Sequence, residues 1–186
     1  MSKKLSEMNL EELWQLFPVF LTEHQDCWGN WYAEEEVFLK SLLPQTAKIN
    51  HIGSTSMRAI QAKPIIDILV EVPGEYNLPD IKDILIINGY ICMAQSSDRI
   101  SFNKGYTENG FAERVFHLHL RYSGDNDELY FRDYLNEFPN VAGQYEKMKL
   151  NLWKKYEHNR DGYTNAKSDF VKKYTSEAKA RYGNRY

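Results

Sequence analysis

The sequence predicts an α+β fold: a mixed sheet of about five strands with flanking helices and a helical C-terminal third. Three observations carry this. Apolar residues recur with the two-residue period of strands in several short runs, strictly so over 114–122, where Val115, His117, His119 and Arg121 alternate with Phe116, Leu118 and Leu120. Helical spacing takes over after Gly124. The strands therefore cluster ahead of the closing helices, the order of an α+β fold and not of regular βαβ winding. With 186 residues, 42% of them hydrophobic, the chain can fill one core, and no Pro/Gly/Ser-rich linker divides it. Residues 1–186 read as a single domain, sheet-containing to about 124 and helical from about 125 to 186.

Taken in order, 9–16 reads as a short helix with Asn9 as N-cap and Glu12 three residues on, a capping box. Residues 19–22 suit an edge strand. From Cys27, the spacing of Trp28, Tyr32, Leu39 and Leu43 predicts a helix that Pro44 ends. A strand over 46–52 runs into Gly53, and a short helix is expected at 57–61. The run 64–72, stopped by Pro73-Gly74, reads as a central strand. A helix over 79–88 ends at Gly89, and strands follow at 90–94, 99–104 and 114–122. Helices are then expected at 126–138, about 140–157 and about 163–182.

Charge narrows the function classes. The net charge of -3 disfavours a uniformly basic nucleic-acid binder, although 147–185 is rich in Lys and Arg. Glu34, Glu35 and Glu36 form an acidic cluster read as a solvated helix face. Cys27 and Cys92 lack any metal or disulfide spacing and read as free thiols. The opening Met1-Ser2-Lys3-Lys4-Leu5 lacks the apolar run of a signal peptide, and no stretch approaches about 18 consecutive apolar residues. No membrane partner and a cytoplasmic location are the expectations.

The segment from His51 to Val70 holds the chemistry. Gly53 lets the backbone turn sharply and come close to a ligand. Ser54, Thr55 and Ser56 then offer hydroxyls and N–H groups to a phosphate, or they serve only as a helix cap. Asp67 stands in an otherwise apolar strand, where an unpartnered carboxylate would cost several kcal/mol, so it meets a metal, a base or hydrogen-bond donors. Alternation places Asp67, Leu69 and Glu71 on one face and Ile66, Ile68 and Val70 on the other. His117 and His119, two apart on a strand, project from one face. Either they ligate a transition metal (Zn²⁺ or Mn²⁺) with Asp67 as third ligand, or they hydrogen-bond their polar edges to Asp67, His51 or nearby tyrosines.

A glycine-serine turn closing one strand, with an acid on the next, resembles the nucleotidyltransferase superfamily of polymerase-β type. More closely, HIGSTS…AKPIIDILVEV followed by FHLHL, FRDYL and NRDGYTNAKSDFV resembles the GrpB family, from about Leu13 to Lys179. The resemblance implies a nucleotidyltransferase-like fold and a site for a nucleoside triphosphate with a divalent ion (Mg²⁺, Mn²⁺ or Zn²⁺). Asp67 would hold the metal and Gly53, Ser54, Thr55 and Ser56 the nucleotide. The recurring motifs imply further phosphate contacts from Arg132, Arg160 and Lys167, with Lys63 from the other side. On the residues alone, Arg132 could instead pair with a helix carboxylate, and Asp161 could cap the last helix. Tyr163, Phe170 and Tyr174 read as core.

Two departures stand out. Active nucleotidyltransferases carry two acids two apart on the strand, and here Leu69 occupies the second position. In the GrpB pattern a Pro-Gly pair commonly follows the serine turn, where this chain has Arg58-Ala59. Three functions follow as alternatives: nucleotidyl transfer to an acceptor with Asp67 and Ser54 as catalytic groups, a non-catalytic nucleotide- or metabolite-binding module, and a His-based metal-dependent hydrolase.

Overall fold

The structure, a computed structural model, describes residues 3–186; the leader reading at Met1 and Ser2 falls outside them. Two helices open the chain, α1 (Leu10–Leu16) and α2 (Cys27–Leu42). At α1 the capping box forms in both directions: Asn9 Oδ1 accepts from Glu12 N, and Glu12 accepts from Asn9 N. Residues 19–22 are not a strand, since only Thr22 makes an isolated bridge, to Ala62. Val19 N donates instead to Glu157 O, so the segment is held at separate points and not along a ladder.

The sheet is built from β1 (Lys48–Ile52), β2 (Ile66–Val72), β3 (Ile91–Gln95), β4 (Arg99–Thr107) and β5 (Gly110–Tyr122), in the order β1-β2-β5-β4-β3. Only the central β2–β5 pair is parallel. α3 (Leu78–Ile87) connects β2 to β3. One face of the central strands, with Ile66, Ile68, Val70, Phe116, Leu118 and Leu120, packs under Trp28 and Leu39 of α2 and Leu85 of α3. This is the main core. Glu35 of α2 turns into it instead of facing solvent, accepting from Tyr90 Oη at 2.7 Å and Lys104 Nζ at 2.6 Å. The acidic cluster is therefore solvated only in part.

The opposite face carries Asp67, Leu69 and Glu71 beside their register partners His117, His119 and Arg121. The helical third, α4 (Asp127–Glu137), α5 (Pro139–Tyr156), α6 (Arg160–Asn165) and α7 (Ser168–Tyr182), has its own core of Tyr130, Phe131, Leu135, Tyr145 and Tyr174. Phe170 packs against that core. The expected helix over 163–182 is thus two helices, with Asn159 and not Asp161 as the cap of the first, accepting from Gly162 N at 2.8 Å. No Pro or Gly marks the break at 166–167, so helical periodicity alone runs through it. The short helix expected at 57–61 is instead a single 3-10 turn at Ser54–Ser56. Among the described residues, no helix is long and apolar enough to cross a membrane.

Candidate functional site

Where the sheet's polar face meets the helical third, a cleft encloses about 360 Å³. Its floor is the Asp67 end of β2 and the His117 end of β5, and its rim is the bend after β1. Gly53 makes that bend at φ +70°, and a Cβ there would lie 2.2 Å from Asp67 Oδ2. Only glycine lets the backbone sit on that carboxylate. The turn and the acid therefore converge, and Asp67 keeps 29% of its side chain exposed.

His117 Nδ1 lies 3.1 Å from Asp67 Oδ1, and its Nε2 lies 2.8 Å from both Arg160 Nη2 and Tyr106 Oη. A guanidinium can only donate, so Nε2 is an acceptor and the ring proton sits on Nδ1, donated to Asp67. Arg160 Nη1 also donates to Tyr106 Oη, at 2.7 Å. Burial, reinforced by the Arg160 and Lys63 charges, brings His117 down to about 4 against the pull of Asp67, so the imidazole is neutral near pH 7. Burial pushes the Asp67 carboxyl up, but the His117 hydrogen bond, the two imidazoles and Lys63 outweigh it and hold the group well below the usual carboxylate range.

This geometry corrects the metal set of Asp67, His117 and His119. Both nitrogens of His117 are committed to hydrogen bonds, and among the described residues no group of three or more His, Cys, Asp or Glu is placed to hold a metal. The hydrogen-bonded reading of the pair is the one that His117 adopts. His119 lines the cleft two residues on, lowered by burial, with Leu69 as its register partner.

The serines divide. Ser54 faces the cleft, with Oγ 3.0 Å from Lys149 Nζ. Thr55, though along the wall, is 3% exposed and donates to Ile65 O while its Oγ1 lies 3.0 Å from His51 Nε2. Ser56 donates back to Gly53 O at 2.6 Å. The Ser56 hydroxyl is thus spent within the turn, and that of Thr55 ties the turn to His51 of β1 and to Ile65, just ahead of β2.

Four cations line the same cleft: Lys63, Lys149, Arg160 and Lys167. The ammonium groups of Lys63 and Lys167 lie 5.5 and 4.4 Å from the centroid of the buried Tyr163 ring. Burial, with the Arg160, Lys167 and Lys149 charges adding to it and Asp67 opposing, lowers Lys63 to about 7. Burial likewise lowers Lys149 to about 7 and Lys167 to about 8. Arg132 is absent from this group. It donates to His51 O at 2.9 Å and pairs with Asp133, so the helix-carboxylate alternative holds and the phosphate role does not. Sequence reasoning missed Lys149, Tyr106 and Tyr145. Lys149 had a signal, a cation where the α5 stripe of Ala142 and Tyr145 calls for an apolar residue.

Leu69 is fully buried against Ile52 and Leu129. Glu71, also sealed, accepts from Gly124 N and Asn126 Nδ2, each at 3.0 Å. Asp67 is thus the one β2 acid that reaches the cleft.

A mixed sheet with a Gly-Ser turn beside an acidic strand, roofed by helices, is the nucleotidyltransferase type of fold. It matches a structure of the Cid1 poly(U) polymerase bound to MgATP with a TM-score of 0.53, over 84% of this chain and 52% of that one, at 12% identity. At that identity the likeness is one of fold alone. The chain belongs to the GrpB family, whose model, described as GrpB protein, matches residues 18–177. It is 34% identical over 171 residues to the Glutamate-rich protein GrpB of Alkalihalophilus pseudofirmus, covering 86% of this chain and 95% of that one. It is 29% identical over 183 residues to the UPF0157 protein YqkA of Bacillus subtilis, covering 95% of this chain but 52% of that longer protein. The crystal structure of GrpB from Enterococcus faecalis superposes with a TM-score of 0.75 at 32% identity, over 88% and 99% of the two chains.

Proposed function

We propose that the cleft binds a nucleoside triphosphate together with a divalent ion and transfers its nucleotidyl group to an acceptor. One observation carries this reading: among the described residues, none of Lys63, Lys149, Arg160 and Lys167 forms an ion pair, although all four line one cleft. Like charges that are gathered out of water and outnumber the carboxylates of the cleft destabilise the protein, and an incoming polyphosphate removes that cost. Lys63 and Lys167, lowered toward neutrality by burial with the Arg160 charge adding to it, regain their protons when anionic oxygens arrive.

The residues fit a metal carried in by the ligand, not one held by the protein alone. Asp67 is a lone ionised carboxylate, and Mg²⁺ in phosphate sites is commonly held by one or two carboxylates with phosphate oxygens. Such an ion would neutralise charge on the transferring phosphorus. Asp67 is aimed by the His117 N–H, which Arg160 and Tyr106 hold in the required tautomer. Lys63, Arg160 and Lys167, which line the same cleft, would surround the charge that develops on the phosphate oxygens.

Leu69 favours a second reading, binding without turnover, because the position of a second acid is filled by a sealed aliphatic side chain. Incubation with nucleoside triphosphates and Mg²⁺ or Mn²⁺ separates the two. Pyrophosphate release that is lost in Asp67→Asn supports transfer. Thermal stabilisation by nucleotide without pyrophosphate leaves the binding module, and neither effect sinks both.

A further inference from the structure

We propose that Ser54 and Lys149 form a nucleophile–general-base pair, so that Ser54 itself attacks an electrophilic phosphorus bound in the cleft. The positive-φ bend at Gly53 presents Ser54 at the cleft wall, and α5 brings Lys149 Nζ to 3.0 Å from its Oγ across 95 residues of sequence. Lys149 is 2% exposed and has one other hydrogen-bond partner, the carbonyl of Gln61. A neutral amine has two N–H bonds and one lone pair. One N–H to Gln61 O leaves the lone pair for the Ser54 hydroxyl, an arrangement that an ammonium cannot make.

A lysine serving only as a strut would be matched with an anion. Glu146, on the same helix, instead accepts from Gln61 N at 2.7 Å. The groups around the amine are Tyr145, whose ring centroid lies 5.0 Å away, Glu146, and the Lys63 and Lys167 ammoniums. Burial, with Lys167 adding to it and Glu146 opposing, lowers Lys149 to about 7, so a large share is free base near neutral pH. That is the range in which a general base works best.

With a nucleoside triphosphate as the electrophile, the Oγ–P bond forms as the bond from the α-phosphorus to the pyrophosphate oxygen breaks. The Oγ proton passes to Lys149 Nζ, pyrophosphate leaves, and Ser54 carries a nucleoside monophosphate ester. This step rests on the nucleotide reading above, whereas activation of Ser54 does not.

The test therefore uses two probes on the full chain. A fluorophosphonate reports activation without any nucleotide, and an α-labelled nucleoside triphosphate with Mg²⁺ or Mn²⁺ reports the transfer, each mapped by peptide mass spectrometry. The expected result is a single label on Ser54, rising with pH through about 7, absent in Ser54→Ala and cut at least about 100-fold in Lys149→Met. Lys149→Arg, a side chain that keeps charge but never gives up its proton, is expected to fold and stay unlabelled. Fluorophosphonate labelling without any nucleotide binding supports the pair while removing the nucleotide reading. No label on Ser54 of the wild type, with a cooperative thermal transition showing that it is folded, overturns the pair. So does labelling undiminished in both Lys149 variants.

Discussion

β2 and β5 present two acid–base pairs in the same register on the same face, Asp67 beside His117 and Glu71 beside Arg121, and they meet opposite fates. At the Glu71 end everything is consumed internally. Glu71 holds the turn before α4, while Arg121 forks onto Glu128 at 2.9 and 2.7 Å. At the Asp67 end the carboxylate is held by one imidazole and a glycine bend, remains part exposed, and faces cations that form no ion pair among the described residues. Alternation alone cannot separate the two ends. What separates them is the roof, since α4 covers Leu69, the turn before it binds Glu71, and Asp67 is left under the cleft.

The sharpest way to break this contrast is to put an acid between the two ends. Leu69→Asp, which would restore the two-acid spacing, buries a carboxylate among Ile52 and Leu129 and is expected to cost about 4 kcal/mol or to prevent folding. Urea denaturation measures it; a well-folded, stable variant would mean that Leu69 is not sealed. Next in size is the pair Glu71→Ala and Asp67→Ala. The first strands the Gly124 N–H and the Asn126 amide, at a cost of about 3 kcal/mol. The second removes a carboxylate that is itself part exposed and leaves the His117 N–H facing the open cleft, at a cost of about 1 kcal/mol, while abolishing any turnover. Equal losses of stability would erase the distinction between a structural end and a functional one.

The cleft end also sets a pH dependence. Lys63, Lys149 and Lys167 titrate in the folded chain near 7 to 8, below the ordinary lysine value of 10.5. Between those limits the unfolded chain holds protons that the folded one has released, so the stability of the ligand-free protein rises with pH from about 7 upward. Melting temperatures at pH 7 and 9 measure this, and a saturating polyphosphate should flatten or reverse the trend. A fall in stability over that range without ligand would argue that the lysines are paired.

How much of this was legible depends on range. The face that carries Asp67 follows from a two-residue period, and the convergence with the Gly53 turn follows from neighbouring strands, so both can be read from one stretch of chain. The placement of Lys63, Arg160 and Lys167 came from the family motifs, not from spacing. Arg132 came from the same source and lies elsewhere, because the His51 carbonyl and Asp133 satisfy it locally. Lys149 escaped notice because its partners lie 88 and 95 residues away, and a helical pattern records only that a cation interrupts an apolar stripe. The His117 tautomer was beyond reach for a related reason: it depends on which donor occupies Nε2, and that donor comes from α6.

The central claim is that the unpaired cations wait for a polyphosphate. Calorimetric titration with a magnesium nucleoside triphosphate near pH 8, repeated in buffers of different ionisation enthalpy, tests it most directly. Binding is expected to take up protons, and Lys63→Met with Lys167→Met is expected to weaken it by about 100-fold or more with melting temperature preserved. Absence of binding to the wild type, or equal affinity in the double variant, would contradict it.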